Sequence, residues 1–440
     1  MRYILLSLLF LLACAAAWAD RATATAMRVP DGAITVDASF ADWARIAAPT
    51  KAVSDTDKLW LPAEKEFGEW SGPDDSSFTT YLAHDSAYLY LYAQVRDQAL
   101  VNVSTADAPF NGDDFEVFIS AGPDDVRFSE TKTADYRQLV FLPGRINPAF
   151  PKTLIWQEKD NPGVQAVSRL TLHGYDIELR IPTALFPNWK AHPGLASIGF
   201  DCQINDVDAP GIDCHHPCVK GARQLLSLGR HFQSPKDMGL LLLDDKTVKL
   251  GPPSKIPNLT TPADSVMAKI DVKDAAKVVA NALKAKEPEM QFAAAKALAL
   301  RPDLSVPNEP LVKMLSLYLA ETKGPVYPPE CIAYVLRAQA ERQKLSLPTG
   351  TEFFLHTDNR PLRLTYIYCL GLNGDKAATP ILLPLLKDTG LRTRQQAAIA
   401  LALLKDPAAL PALQEMEKND PDMYAKKQAT LAIAAITGKK

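Results

Sequence analysis

The residues best suited to chemistry in this chain lie in three segments that alternate apolar and polar residues. They are YLYLYAQVRD (88–97), DAPFNGDDFEVFI (107–119) and GFDCQINDVD (199–208). A period of two is typical of a strand with one buried face. The residues expected on the outward face include an aromatic ring, a carboxylate and an amide. A sheet face that presents rings beside hydrogen-bonding groups is suited to binding a sugar.

A second group of reactive side chains combines Cys202 with the segment DCHHPC, which carries Cys214, His215, His216 and Cys218. Three thiols and two imidazoles this close could bind zinc, although the C-x3-C spacing is not that of a standard finger or ribbon. In an exported protein they could instead form a disulfide, either Cys214–Cys218 or one of these with Cys202. A haem with a histidine as axial ligand is a third alternative.

The six cysteines of the chain include Cys14, which lies in the N-terminal segment. The five that remain are an odd number, so at least one thiol is expected to be unpaired. Cys331 and Cys369 are the two that lie outside the cluster described above.

The N-terminal segment MRYILLSLLFLLACAAAWAD has the features of an export signal. Arg2 precedes a short apolar run, and Ala17-Trp18-Ala19 forms a cleavage site of small residues, which predicts a signal peptide over 1–19. Leu11-Leu12-Ala13-Cys14 resembles a lipobox, in which Cys14 would be acylated. Both alternatives predict an extracytoplasmic protein: periplasmic, secreted or lipid-anchored. A lipid anchor is the only membrane association that we expect.

Length and charge limit the possible classes of function. With 440 residues the chain is long enough for two or three domains. A net charge of −3 gives no reason to expect a nucleic-acid partner. The sequence contains no nucleophile elbow, metalloprotease motif, P-loop or dinucleotide fingerprint, so we expect a non-catalytic protein.

Residues 27–246 consist of short alternating segments separated by turn residues, which predicts an antiparallel β-sandwich or barrel. A proline-rich linker is predicted over 247–263. The segments expected to form strands are ITVDASF, FTTYLAHD, AYLYLYAQV, DFEVFIS, YRQLVFL, AVSRLTL, YDIELRI, SIGFDCQIN and GLLLL.

From 264 to 440 the pattern changes to apolar residues at three- and four-residue spacing, which predicts helices. Arg363, Arg394 and Lys426 recur every 31–32 residues. Turns recur with them, and Asp406-Pro407 is predicted to begin a helix with Asp406 as its N-cap. Helix pairs of this period resemble HEAT repeats, which stack into an α-solenoid. The chain is therefore predicted to be a multidomain β + α protein.

Over most of 27–245 the sequence resembles the family 9 carbohydrate-binding modules (CBM9), sandwich domains attached to xylan- and cellulose-degrading enzymes. The segments that carry this resemblance occur in the family's order: VPDGAITVDASFADWARIA, LYLYAQVRD, GDDFEVFI, YDIELRIPTALF, GFDCQINDVD and SPKDMGLLLL. It implies a β-sandwich that binds a terminal sugar between two facing rings.

The resemblance also implies a set of binding residues. Phe110 and Phe232 fall at the positions of the two tryptophans of the family, and phenylalanine offers a smaller ring without an N–H donor. Glu116, Arg137 and Gln203 fall on its acidic residue, arginine and glutamine. Structural Ca²⁺ is implied as well, without assigned ligands.

Two hypotheses about function follow from these observations. The first is an exported, non-catalytic protein that binds a poly- or oligosaccharide and takes part in polysaccharide binding or breakdown. Its solenoid would contact a protein partner. The second is a sandwich that no longer binds sugar and serves metal or haem binding and envelope assembly through Cys214, His215, His216 and Cys218.

Overall fold

A computed structural model describes residues 21–46, 51–53, 59–60, 72–147, 149–208, 210, 221–227, 229–251, 261–320 and 326–438. The predicted signal peptide with Cys14 lies outside these residues. So do Cys214, His215, His216 and Cys218, together with most of the proline-rich segment. Within the described part of the chain, no helix has the length and hydropathy needed to cross a bilayer.

The described strands all belong to one sheet. In chain order they are β1 (Thr23–Arg28), β2 (Lys51–Val53), β3 (Leu59–Trp60), β4 (Ser76–His84), β5 (Tyr88–Asp97), β6 (Asp114–Ser120), β7 (Tyr136–Leu142), β8 (Leu154–Ile155), β9 (Gln165–Thr171), β10 (Gly174–Pro182), β11 (Ser197–Asp206), β12 (Gly221–Gln224) and β13 (Gly239–Thr247). Their order across the sheet is β8-β7-β6-β11-β13-β1-β4-β5-β10-β9, with β12 beside β11 and β3, and β2 beside β4.

This sheet curves into a nearly closed sandwich around an apolar core, with β8 and β9 at its two ends, which confirms the predicted sandwich. Phe78 of β4 packs edge-on against Phe115 of β6, with ring centroids 6.1 Å apart. Tyr175 of β10 donates a hydrogen bond to the Asp114 carbonyl of β6. The pairing is antiparallel except at β1, which runs parallel to both of its neighbours, β13 and β4. The sheet therefore begins at Thr23, before residue 27 where the sequence places the start of the domain.

One predicted strand is not formed. The segment ITVDASF is a loop, because its backbone N–H groups bind a carboxylate instead of a neighbouring strand. The amides of Asp37 and Ala38 both donate to Glu178 Oε2 at 2.8 Å, and Ala38 adopts a φ of 57°. Glu178 Oε1 accepts a hydrogen bond from the buried Trp43 indole at 2.7 Å. The other eight predicted segments lie on β4–β7, β9–β11 and β13.

Among the described residues, two short helices lie in the sandwich and the other helices follow it. The bounds are α1 (Asp124–Arg127), α2 (Pro187–Ala191), α3 (Pro262–Met267), α4 (Ala275–Leu283), α5 (Pro288–Leu300), α6 (Glu309–Ala320), α7 (Pro329–Ala340), α8 (Arg360–Leu372), α9 (Thr379–Leu382), α10 (Leu391–Leu404), α11 (Leu410–Asn419) and α12 (Met423–Thr437).

The predicted 31–32-residue repeat has a clear structural basis. The first helix of a repeat carries an arginine that binds an aspartate in the turn before the next one. Arg363 lies 2.7 Å from Asp388, and Arg394 makes two hydrogen bonds to Asp420, at 2.8 and 3.1 Å. Asp406 is an N-cap, as predicted, since its side chain accepts a hydrogen bond from the Ala408 N–H. These contacts join consecutive helix pairs in register.

The sandwich and the helices share one hydrophobic core. Hydrogen bonds between buried residues cross the junction, among them the following three. The Leu100 N–H donates to the Tyr334 hydroxyl at 3.0 Å, Lys296 Nζ donates to the Leu172 carbonyl at 3.0 Å, and Gln396 Nε2 donates to the Pro210 carbonyl at 2.7 Å. Buried polar groups without partners are costly, so these bonds fix how the two parts meet.

Candidate functional site

Polar side chains from four adjacent strands share one face of the sheet. Directly paired residues project from the same face, and the register pairs Glu116 of β6 with Gln203 of β11, and Gln203 with Gln224 of β12. Asp114 and Asn205 form the next pair on that face, two residues along. We call this surface the polar face. It consists of Asp114, Glu116, Gln138, Gln203, Asn205 and Gln224.

The polar face is joined by a continuous hydrogen-bond network. Glu116 accepts from Asn205 at 2.7 Å through Oε1 and from Gln138 at 2.8 Å through Oε2. Asn205 also donates to Asp114 at 2.6 Å. Gln224 donates to Gln203 at 2.9 Å. Gln138 is half-buried, whereas the other members are at most 5 % exposed. The network therefore meets solvent chiefly at Gln138.

Arg137 does not lie with Glu116 and Gln203, contrary to what the family resemblance implies. It pairs with Ile119, one residue out of step with the polar face, so its side chain projects from the other side of the sheet. There its guanidinium donates to the carbonyls of Ala134, Tyr136 and Leu185. Gln138, the next residue of β7, occupies the place beside Glu116.

Phe110 lies at the edge of the polar face and packs against a second ring. Its centroid is 5.3 Å from that of Trp156, in an edge-to-face arrangement, and both side chains are half-buried. The Trp156 indole donates to the Asp107 carbonyl. The Trp156 N–H donates to the carbonyl of Val140, and Val140 pairs with Glu116, so the ring pair lies one strand from the carboxylate.

Phe232 lies toward the other end of β6, packed against Phe118, Tyr136 and Met238. This end is organised by the buried Asp201 carboxylate, which contacts His231 Nε2 at 3.2 Å. Asp201 also accepts hydrogen bonds from a series of backbone N–H groups, those of Cys202, Leu225, Leu226 and Ser227. Phe110 thus lies across β7 from Glu116, and Phe232 lies beside Phe118, two residues further along β6.

A second cluster, composed only of carboxylates, lies where the sandwich meets the helices. Asp75, Asp206 and Asp208 each place an oxygen within 4.8 Å of the others, and so do Asp97, Asp113 and Asp206. We call these five residues the acidic pocket. Burial and the neighbouring carboxylates raise the pKa of Asp113 and Asp206 well above the usual range. Oxygen-only ligands of this kind suit a hard cation.

The described cysteines are all free thiols: Cys202, Cys331 and Cys369, each of them buried. The expectation of at least one unpaired thiol is confirmed. The predicted disulfide that includes Cys202 is contradicted, because Cys202 is a free thiol buried on β11. Burial and the adjacent Asp201 raise the pKa of this thiol well above its usual range. A Cys214–Cys218 disulfide, zinc and haem stay predictions.

Comparison with known proteins assigns both parts of the chain. Residues 48–246 match the family model described as carbohydrate family 9 binding domain-like. The sandwich is a CBM9-like domain. Residues 351–434 match the model for HEAT repeats, and the C-terminal helices of the protein are HEAT-like repeats that follow the CBM9-like domain. No curated relative matches the chain.

Solved structures resemble the CBM9-like part of the chain at low identity. One is a family 9 carbohydrate-binding module from Caldicellulosiruptor kristjanssonii in complex with glucose, which is 16 % identical with a TM-score of 0.34. The match covers 51 % of this chain and 99 % of that one. Another is a putative carbohydrate-binding protein from Bacteroides uniformis ATCC 8492, which is 13 % identical with a TM-score of 0.32. This match covers 51 % of the present chain and 100 % of the Bacteroides uniformis chain.

Several members of the polar face were missed at the level of sequence. Asp114 and Asn205 lie two residues from Glu116 and Gln203, so the period of two could have placed them on the same face. Placing Gln138 beside Glu116 requires the register in which β7 pairs with β6, and no local sequence pattern gives that register. Trp156 lies beside the polar face and is not one of its members; it follows a two-residue strand, β8, that is too short to leave a periodic pattern.

Proposed function

We propose that this protein is exported and binds carbohydrate on the polar face of its CBM9-like domain, without catalysing a reaction. The HEAT-like repeats contact a protein partner. The observation that carries the proposal is the network of one carboxylate and several amides beside a half-buried pair of aromatic rings. Such a surface combines the two kinds of contact that a sugar ring offers, apolar C–H faces and hydroxyl groups.

Within this network Gln138 is the residue placed to contact a sugar hydroxyl directly. Its Nε2 donates to Glu116 Oε2, and this fixes the amide so that Oε1 is directed away from the carboxylate. Glu116 is only 2 % exposed and is in turn held by Asn205. Glu116 therefore acts as a positioning residue, and Gln138 presents the hydrogen-bonding groups to the ligand.

The ring pair supplies the apolar part of the proposed site. Because the Phe110 and Trp156 rings meet edge-to-face, one ring presents its edge and the other keeps a face available. The indole N–H is already bonded to the Asp107 carbonyl, so Trp156 would contribute a surface rather than a donor. Stacking on an aromatic ring does not require a particular pattern of sugar hydroxyls. We therefore expect a modest affinity for the sugar.

Calorimetric titration with cello- and xylo-oligosaccharides tests the proposal. Wild-type protein is expected to bind at least one series, and Trp156→Ala and Phe110→Ala are each expected to weaken binding about 10-fold, or about 1.4 kcal/mol. Phe353→Ala is the matched control, since this ring is 52 % exposed on the helical repeats. Its affinity is expected to equal that of wild type.

Two results would overturn the assignment. If wild-type protein binds neither series of oligosaccharides, the proposed carbohydrate binding is wrong. Equal affinities for wild type, Phe110→Ala and Trp156→Ala, with binding retained, would move the sugar site away from this face. Circular dichroism of each variant establishes that it is folded.

A further inference from the structure

The two ends of the sheet, β8 and β9, lie next to each other without forming a ladder. The strand order places them at opposite ends of the sheet. Side chains join them instead: the Ser168 N–H donates to Thr153 Oγ1 at 2.9 Å, and the two hydroxyl oxygens lie 2.8 Å apart. Within the described part of the chain, β10 is therefore the one strand that pairs with β9, and the outer edge of β9 is left open.

The register of β9 shows which of its main-chain groups point outward. Ser168 is paired with Ile177 of β10, but its N–H is turned away from β10, toward Thr153. Residues of an antiparallel strand alternate in this respect, so the N–H and carbonyl groups of Ala166 and Leu170 point outward as well. For Leu170, neither group has a hydrogen-bond partner among the described residues. This edge can therefore still pair with another extended chain.

A cleft of about 360 Å³ runs along this edge, where the CBM9-like domain meets the helices. Its walls are β9, residues 144–145 and 151–153 between β7 and β8, and the segment that leads from the end of α3 to Asp271. The Leu172 N–H donates to Asp264 of α3 at 2.8 Å, which holds this last wall against the end of β9. A cleft of this size between two domains is a common position for a ligand site. Its floor is apolar and almost completely buried, and consists of Leu170, Met267 and Ile270.

The charges on the walls of the cleft are mostly positive. Arg145, Lys152 and Arg169 line it together with a single carboxylate, that of Asp271. Lys152 is exposed and forms no ion pair with the described residues. Arg145 lies 2.6 Å from Asp271, and Arg169 lies 2.5 Å from Asp176. The Nε atoms of both arginines are nevertheless buried without an acceptor in the described part of the chain. The cleft is therefore suited to a ligand with a negative charge.

The position of Arg145 is imposed by its own loop. Its φ of 72° lies in the left-handed region, which residues other than glycine rarely adopt. The Arg145 N–H donates to the Phe150 carbonyl at 2.9 Å, and the Gly144 N–H donates to Ser168 Oγ of β9 at 2.8 Å. Such a backbone conformation persists only where the surrounding structure requires it. The residue is thus held at the edge of β9 before any ligand binds.

A peptide can make each of the three kinds of contact that the cleft provides. Its main chain pairs with the outward groups of an edge strand, a side chain covers the apolar floor, and a carboxylate binds guanidinium and ammonium groups. We propose that the cleft binds a short extended segment of a protein partner that carries a carboxylate. The main chain of this segment pairs with Leu170, and Lys152 and Arg145 hold its carboxylate. This inference does not depend on the proposed carbohydrate binding, since the polar face shares no residue with the cleft.

Selection from a displayed library of random pentapeptides with free C-termini, against the immobilised full chain, tests the inference. The selected peptides are expected to bind through a carboxylate, and calorimetric titration then measures their affinities. Amidation of the C-terminus identifies that carboxylate. It weakens binding about 10-fold if the terminal carboxylate is held, and leaves the affinity unchanged if an acidic side chain is held. A selection that enriches no peptide over a surface without protein would overturn the proposal.

A charge reversal tests how the carboxylate is held. Lys152→Glu changes an exposed side chain and is expected to weaken binding of the selected peptides about 10-fold. Lys190→Glu, at an exposed lysine of α2, is the matched control and keeps the affinity of wild type. Equal affinities for wild type and Lys152→Glu would overturn the role assigned to Lys152.

Filling the cleft tests where the peptides bind. Ala268→Phe places a ring at an exposed position that lines the cleft, and it is expected to abolish peptide binding. Ser265→Phe makes the same change at an exposed position of α3 that does not line the cleft, and it is expected to keep the binding. Circular dichroism establishes that each variant is folded. Peptides that bind Ala268→Phe as tightly as wild type would overturn the site.

Hydrogen exchange tests the pairing with the edge strand. A bound peptide is expected to slow amide exchange in β9 (Gln165–Thr171), because the Leu170 N–H acquires an acceptor. Unchanged exchange in β9 with a peptide bound would overturn the strand pairing. The oligosaccharide titration distinguishes this inference from the proposed function, since Ala268→Phe is expected to keep the affinity of wild type for sugar. Oligosaccharides that bind wild type and not Ala268→Phe would assign the cleft to sugar and overturn the peptide.

Discussion

The Trp43 indole nitrogen lies 2.7 Å from Glu178 Oε1 and joins the loop before β2 to the middle of β10. Burial raises the pKa of Glu178 to about 7, against the opposing effect of its three hydrogen-bond donors. The folded state therefore takes up a proton more readily than the unfolded state. This contribution to stability is complete below pH 4.5 and is lost as the pH rises through 7.

Glu178→Gln makes this pH dependence measurable, since glutamine does not titrate. Between pH 4.5 and 7.5 the free energy of unfolding of wild type is expected to fall relative to the variant by up to about 3 kcal/mol. Urea denaturation at several pH values measures the difference. Parallel curves would mean that Trp43 and the two backbone amides keep Glu178 ionised throughout.

The placement of Arg137 and Gln138 on opposite sides of the sheet leads to a second prediction. Gln138→Ala is expected to weaken sugar binding about 10-fold, because it removes the half-exposed amide held by Glu116. Arg137→Ala is expected to leave the affinity unchanged, since its guanidinium bonds to backbone carbonyls on the other side. Titration with the same oligosaccharides compares them, with Gln165→Ala on the exposed part of β9 as control.

If Arg137→Ala binds the oligosaccharides more weakly than Gln138→Ala does, the result would contradict the proposed site on the polar face. It would favour Arg137, the residue that the family resemblance implies.

The buried pair Arg394–Asp420 is expected to be important for the HEAT-like repeats. Arg394→Ala leaves the Asp420 carboxylate buried without its partner, which costs about 3–5 kcal/mol. Arg394→Leu combined with Asp420→Leu removes both charges and is expected to recover most of that loss. Urea denaturation measures both variants. A double variant as unstable as Arg394→Ala would show that the pair contributes more than charge neutralisation.

The hydroxyl of Tyr334 gives a conservative test of the junction. Tyr334→Phe leaves the buried Leu100 N–H without an acceptor and is expected to cost about 1–3 kcal/mol of stability. Tyr88→Phe is the control, since the Tyr88 hydroxyl forms no hydrogen bond within the described structure. Thermal unfolding in the same buffer compares them. An equal Tm for both variants would contradict a role for this bond.

The sequence was sufficient for the elements whose pattern is local. Eight strand segments, the helical repeats and the Asp406 cap follow from periodicity and capping, which depend on neighbouring residues. ITVDASF alternates like a strand, yet Glu178, far along the chain, binds its backbone and keeps it a loop.

The arrangement of the site was predicted less completely than the fold. Glu116 and Gln203, which the family resemblance assigns to one binding site, lie directly opposite each other on β6 and β11. The family resemblance assigns Arg137 to the site, whereas the structure places its neighbour Gln138 beside Glu116. Neighbouring residues of a strand project from opposite faces, so an alignment that is wrong by one residue selects the wrong face. The acidic pocket combines residues from distant parts of the chain, so no spacing in the sequence reveals it.

The common core has a consequence for how the protein would work between a polysaccharide and a partner. Two modules on a flexible tether search for their targets independently, and the tether length sets their effective concentration. Here the shared hydrophobic core fixes the angle between the polar face and the repeats. A partner bound to the repeats would be held in one orientation relative to the bound glycan. The protein would span a smaller range of distances than tethered modules do, but it would orient the partner more precisely.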